Sequence, residues 1–211
     1  MRLLFSALVL WISQIAIAQE IEADFTGFES SNLPIVIINT QGQTILDQPR
    51  ISAEMKILDN ISQERNFISD EEFAYHGNIS IEIRGSTSQE FEKKQYRFET
   101  QMPDGQNHNT SLLGLPEEND WILHAPFSDK TLVRNSLAYT ISRKLGEYAP
   151  RTKACELILN GEYQGVYILT EKIKRDNNRL NISETGGYIL KIDKMTGYEC
   201  EEFLITDVGN V

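Results

Sequence analysis

Residues 33–39 read Leu-Pro-Ile-Val-Ile-Ile-Asn, a nearly continuous apolar run closed by Gln41-Gly42, which predicts a buried strand followed by a turn. Ile51, Ala53, Met55 and Ile57 then alternate with Ser52, Glu54 and Lys56, the signature of a strand with one dry and one wet face. After a polar, turn-rich stretch over 60–77, the alternation returns in Ile79, Ile81 and Ile83 against Ser80, Glu82 and Arg84, and it stops at Gly85. Residues 94–99 (KQYRFE) form a fourth predicted strand, and 102–109, with Pro103 and Asp104-Gly105, a loop.

The period then changes. Ser128-Asp129 offers a helix N-cap, Leu132, Val133, Leu137, Ile141 and Leu145 recur at helical spacing, and Arg143-Lys144 followed by Gly146 supplies the C-terminal signals. Beyond Pro150, two alternating strands over 154–159 and 163–170 flank Asn160-Gly161, a strong short hairpin signal. A last strand is predicted over 187–193. The order of elements predicts an α+β fold, a mostly antiparallel sheet with one principal helix. No internal repeat or low-complexity tract interrupts it.

Length and composition narrow the class. In the first 18 residues Arg2 precedes an apolar run that ends in Ala16-Ile17-Ala18, which predicts a signal peptide and an exported protein, periplasmic, extracellular or at the cell surface. No Cys follows that site, so the pattern is not that of a lipid-anchored precursor. The expected organisation is a signal peptide (1–18), a loosely ordered lead-in (19–32) and one domain (33–211). Loss of Arg2 moves the formal charge from −11 to −12, which argues against nucleic acid as a partner and favours basic ones. With 40% apolar and 24% charged residues the composition is that of a globular protein. No later segment approaches the ~18 to 20 apolar residues that cross a bilayer. Of the two cysteines, Cys155 falls in a strand alternation and is expected to be a buried small apolar residue; whether it pairs with Cys200 stays open. The Asn-x-Ser triplets at Asn60, Asn78, Asn109 and Asn181 matter only in a glycosylating host.

Polar residues in core-facing register mark candidate chemistry, because they need partners or ligands. Lys94 shares a strand face with Tyr96 and Phe98, so its ammonium must snorkel, pair or meet an anion. Arg134 shares a helix stripe with Ala138, Ile141 and Leu145, which aims it at the sheet, either for an ion pair with a carboxylate such as Glu99 or Glu171 or for a ligand. Residues 84–89 (RGSTSQ) are either an ordinary hairpin loop or a turn whose backbone amides face an anion. His76, His108 and His124 are scattered without metal-ligand spacing, and no GxSxG, Walker or GxGxxG motif occurs. The paired carboxylates at 71–72, 117–118 and 201–202 read as solvated surface.

Four stretches together resemble the CotH (spore coat protein H-like) family of atypical kinases: IEIRGSTSQEFEKKQYRFET (81–100), SLLGLPEENDWILHAPFSDKTLVRN (111–135), YAPRTKACELILNGEYQGVYILTEKIKRD (148–176) and GGYILKIDK (186–194). The resemblance implies a protein-kinase-like fold, of which this chain matches the amino-terminal lobe, and transfer of phosphate from ATP to Ser or Thr of a protein substrate. It implies that Arg84, Ser86, Ser88 and Gln89 take the place of the phosphate-covering loop and that Lys94 grips the phosphates. Arg134 then adds phosphate charge, or Glu171 or Glu99 orients Lys94. Residues 170–173 (TEKI) fall where a kinase hinge meets adenine. The family's Trp-Asp-Phe-Asp metal-binding segment has no match, so magnesium ligands and the catalytic aspartate are expected beyond Val211, and this chain is expected not to transfer phosphate alone. Two other readings remain: a non-catalytic surface or matrix assembly module, and a secreted carbohydrate-associated domain. The second lacks an exposed-looking aromatic platform and a carboxylate pair at defined spacing.

Overall fold

The computed structural model describes residues 27–183 and 185–190. The predicted signal peptide, residues 19–26 of the lead-in, the end of the last predicted strand and Cys200 lie outside the described residues. In chain order the elements are β1 (Ser30–Ser31), β2 (Ile35–Asn39), β3 (Ile51–Leu58), β4 (Asn66–Phe67), β5 (Tyr75–Arg84), a 3-10 turn (Thr87–Glu90), β6 (Gln95–Gln101), β7 (Asp120–His124), α1 (Arg134–Lys144), β8 (Thr152–Leu159) and β9 (Glu162–Glu171).

Seven of the strands close into a barrel in the order β2-β3-β5-β6-β7-β9-β8. This corrects the expected α+β architecture and its likeness to a kinase amino-terminal lobe: the described residues are mostly β, a barrel with one short α-helix outside it. The reason is a contact between distant parts of the chain. β2 pairs in parallel with β8, from Ile35 opposite Glu156 to Ile38 opposite Leu159, and this seam removes both edges of the sheet. Alternation within each strand reports a dry face and cannot report closure. β7 was also not anticipated. Its core-facing residues are only Trp121 and Leu123, yet it joins β6 to β9.

The dry faces meet inside the barrel. Ile38, Met55, Ile81, Phe98, Trp121 and Leu157 are each at most 1% exposed, and Cys155 lies among them as expected. Each such side chain contributes roughly 1.5 to 3 kcal/mol by burial. The predicted hairpin is present. Leu159 faces Glu162 across Asn160 and Gly161, both with positive φ (51° and 84°), the geometry that suits Asn-Gly in a two-residue turn.

Helix α1 forms where the spacing predicts it, but none of its residues is buried. Val133, Leu137, Ile141 and Leu145 are 52%, 56%, 49% and 76% exposed. A closed barrel fills its core with its own strands and leaves no dry sheet face for a helix stripe. The anticipated cap at Asp129 works from a distance: its carboxylate accepts from the Thr131 hydroxyl (2.6 Å), the Thr131 amide (3.0 Å) and the amide of Arg134, the first helical residue (2.9 Å). Residues 187–190 carry no strand, which corrects the described part of the predicted one; Tyr188 and Leu190 are exposed.

Candidate anion site beneath the helix

Strand alternation arranges polar residues in rungs on the outer wall of the barrel. Register aligns Ser80 with Glu99 and Asp120, Glu82 with Arg97, Ile122 and Thr170, and Arg84 with Gln95. The middle rungs are ionic and saturated. Buried Glu82 accepts from Arg50 (3.1 Å) and from Arg97 Nε (2.6 Å), and Arg50 also pairs with Glu99. Asp120 meets Lys172 (3.4 Å) and Lys174 (2.7 Å), while Lys174 also meets Glu118 (2.6 Å). Burial pushes the Asp120 pKa up, but the Lys174 hydrogen bond and the two lysine charges outweigh it and hold the carboxyl below its ordinary value.

The last rung differs. Arg84 is half-buried, and its guanidinium reaches only the Gln95 amide oxygen at 3.5 Å. Among the described residues no carboxylate pairs with it. Burial lowers its pKa, and the positive charge of Arg97 lowers it further; the group remains charged. It lines a cavity of about 120 Å³ roofed by α1, with Ile122, His124, Asn135, Tyr139, Thr170 and Glu171 around it.

The rest of the lining is neutral or neutralised. His124 donates from Nδ1 to Gln95 (2.9 Å) and accepts at Nε2 from the Asn135 amide (3.2 Å), which selects the Nδ1–H tautomer. Burial first, and the Arg84 charge second, lower its pKa and favour the neutral ring. Glu171, 1% exposed, accepts from the Arg151 amide (2.8 Å) and Nε (2.9 Å), so its charge is compensated within the wall.

Of the residues singled out by sequence, the structure brings Arg84 and Glu171 to this cavity and separates the others. Ser86, Ser88 and Gln89 belong to the turn after β5, which bonds to itself: the Gln89 amide donates to Ser86, the Phe91 amide to Ser88, and the Gln89 side chain to Gly85 (2.7 Å). The Lys94 ammonium caps the Gln89 and Phe91 carbonyls of that turn, each at 2.7 Å. Neither carboxylate proposed to orient it does so, because Glu99 meets Arg50 and Glu171 meets Arg151. Lysine 93 is the one that reaches across to β9, donating to the Val166 carbonyl (2.6 Å) with its ammonium 4.5 Å from the Tyr167 ring centre. Arg134 does not face the sheet. Its side chain is 74% exposed and pairs with Asp129 at 3.4 Å.

Sequence reasoning missed His124, Asn135 and Tyr139. The signal for His124 was its outward register in a strand that was itself missed. Among the described residues no group of three His, Cys, Asp or Glu side chains is placed to hold a metal ion. No helix among them is long and apolar enough to cross a membrane.

Residues 81–204 match the family described as CotH kinase protein. The match opens within β5 and takes in Arg84, Lys94, Arg134 and Glu171. The inner spore coat protein H of Bacillus subtilis (strain 168) is 30% identical over 95 residues, which is 45% of this chain and 24% of that relative's length.

Proposed function

The chain belongs to the CotH family, and from that premise we propose that it is the nucleotide-binding portion of a CotH-type protein kinase, in which the cavity beneath α1 receives one phosphate group of ATP. The observation that carries the reading is Arg84: a half-buried guanidinium without a carboxylate, beside a second arginine and facing a cavity. An anion relieves that arrangement, and a charge-assisted hydrogen bond of this kind contributes about 1.5 to 3 kcal/mol. Asn135 and Tyr139 add neutral polar groups, and Arg151 offsets the charge of Glu171. At about 120 Å³ the cavity suits a single phosphoryl group, with the rest of the nucleotide outside.

In this reading Lys94 acts by holding the turn that carries Ser86, Ser88 and Gln89, and Arg134, next in sequence to Asn135, supplies an exposed cation at the start of α1. Magnesium, when bound, would neutralise developing charge on the phosphates. The acceptor is a Ser/Thr-bearing protein, favoured when basic by the acidic charge of this chain. The place of action is an exported, coat-like surface, as the name of the spore coat relative suggests.

The test is ATP-dependent thermal stabilisation. ATP with magnesium is expected to raise the melting temperature, and Arg84→Ala to remove the increase while leaving the unliganded melting temperature nearly unchanged. Equal stabilisation of the variant refutes the site.

A second reading rests on a different observation. The exposed stripe of Val133, Leu137, Ile141 and Leu145 suits a non-catalytic assembly module of a surface or matrix. Self-association abolished by Leu137→Glu, together with no response to ATP, favours that reading.

A further inference from the structure

The other end of the same outer wall carries a second concavity. Register aligns Glu54 of β3, Asn78 of β5 and Gln101 of β6 in one rung. Two loops rise on either side, one carrying Gln41 and Gln43 and the other Met102, and enclose a volume of about 260 Å³. We propose that this concavity binds a neutral, hydroxyl-rich ligand, one or two sugar units of a glycan.

The lining chemistry selects the class. Gln41, Gln43, Asn78 and Gln101 each present an amide with a donor beside an acceptor, and among the described residues no hydrogen bond occupies these four side-chain amides. Adjacent donor and acceptor groups match vicinal hydroxyls, which are themselves donors and acceptors. No cation lines the site, which disfavours an anion. Its carboxylate, Glu54, already meets His76 and Lys56, which disfavours a bound cation. Met102, 44% exposed, offers an apolar wall to the C–H face of a sugar ring.

Both rims are ordered in advance. Thr40 donates from its amide to Asn160 Oδ1 (2.8 Å) and from its hydroxyl to the Gln43 carbonyl (2.6 Å), pinning the first loop to the β8–β9 turn. In the second, the Met102 amide donates to the Gln106 carbonyl (2.8 Å) and the Gly105 amide to the Met102 carbonyl (2.9 Å). Preformed rims reduce the ordering cost of binding. The volume lies just under the ~300 to 1,000 Å³ usual for drug-sized ligands, which limits the site to one or two rings. Asn78 and Arg84 lie six residues apart on one strand face, roughly 20 Å, so this site is separate from the cavity under α1 and independent of the kinase reading.

The experiment is a titration of the isotopically labelled full chain with N,N′-diacetylchitobiose and with cellobiose, following the side-chain amide resonances by NMR. Saturable shifts at Gln41, Gln43, Asn78 and Gln101 are expected with at least one sugar. They should vanish in the Asn78→Ala/Gln101→Ala double variant while its backbone spectrum stays folded. No shift up to the solubility of either sugar overturns the proposal. So do undiminished shifts elsewhere in the double variant, or shifts caused by a neutral tetrapeptide and by neither sugar.

Discussion

Arg97 takes the carboxylate of Glu82, and Arg84, two residues beyond Glu82 on the same outer face of β5, is left with an amide oxygen at 3.5 Å. Two arginines on neighbouring strands thus share one wall, and only one is compensated. This asymmetry makes their substitutions separable.

Replacing Arg84 by Ala removes a desolvated charge that no carboxylate satisfies, so urea-unfolding stability should change by less than ~1 kcal/mol, or rise. Arg97→Ala instead withdraws one of two partners from buried Glu82 and is expected to cost about 1 to 3 kcal/mol. A larger loss for Arg84→Ala than for Arg97→Ala contradicts the wall described above.

Gly85 has φ of +113°, and a Cβ there would lie 2.0 Å from Ser88 Oγ. Gly85→Ala should destabilise by roughly 1 to 3 kcal/mol through the backbone conformation alone. Pairing it with Ser88→Ala removes the close contact but not the backbone strain, so the double variant should recover only part of the loss in thermal melts.

The α1 stripe separates an outside helix from a core helix. Leu137→Glu and Ile141→Glu should each alter unfolding stability by no more than ~0.5 kcal/mol. Losses of 2 to 5 kcal/mol, the range of core truncations, would show the stripe to be packed in the isolated chain.

Hydrogen bonds, first from the Thr131 hydroxyl and then from the Arg134 and Thr131 amides, lower the Asp129 pKa to about 2 from an ordinary 3.8. The folded value is depressed, so this stabilisation is complete above the unfolded pKa and is lost as pH falls through the folded one. Acid titration of the Asp129 carboxyl by NMR should place its midpoint near 2. Asp129→Asn should remove that titration and weaken the start of α1.

Burial raises the Cys155 thiol pKa to about 12. In the folded chain it should be inert to a thiol reagent at neutral pH and react on unfolding in urea. Prompt labelling of the native protein at Cys155 contradicts its core position.

Much of the wall was legible from residue order alone. The alternation at 51–57 and at 79–83 and the Asn160-Gly161 turn are local patterns that form as read, and the helix expected after Ser128-Asp129 forms but starts later, at Arg134. The helix stripe shows the limit. Its spacing predicts a helix, but the dry faces of the strands meet inside the barrel, so α1 meets the polar outer wall through Asn135 and Tyr139 and leaves its apolar stripe exposed. Arg134 shares that limit: a helix wheel places a residue relative to its neighbours on the helix, not relative to the rest of the molecule.

Determined by the sequence alone are the family, carried by motifs at 81–100, 111–135 and 148–176, and the dry side of β3, β5, β6 and β8. The tertiary structure decided the rest. The parallel seam between Ile35–Asn39 and Thr152–Leu159 closes the barrel across more than a hundred residues, and the register of the closed wall leaves Arg84 without a carboxylate while giving one to Arg97. Hydrophobic periodicity is a property of each segment. Pairing between segments is settled only when all of them compete for the same partners.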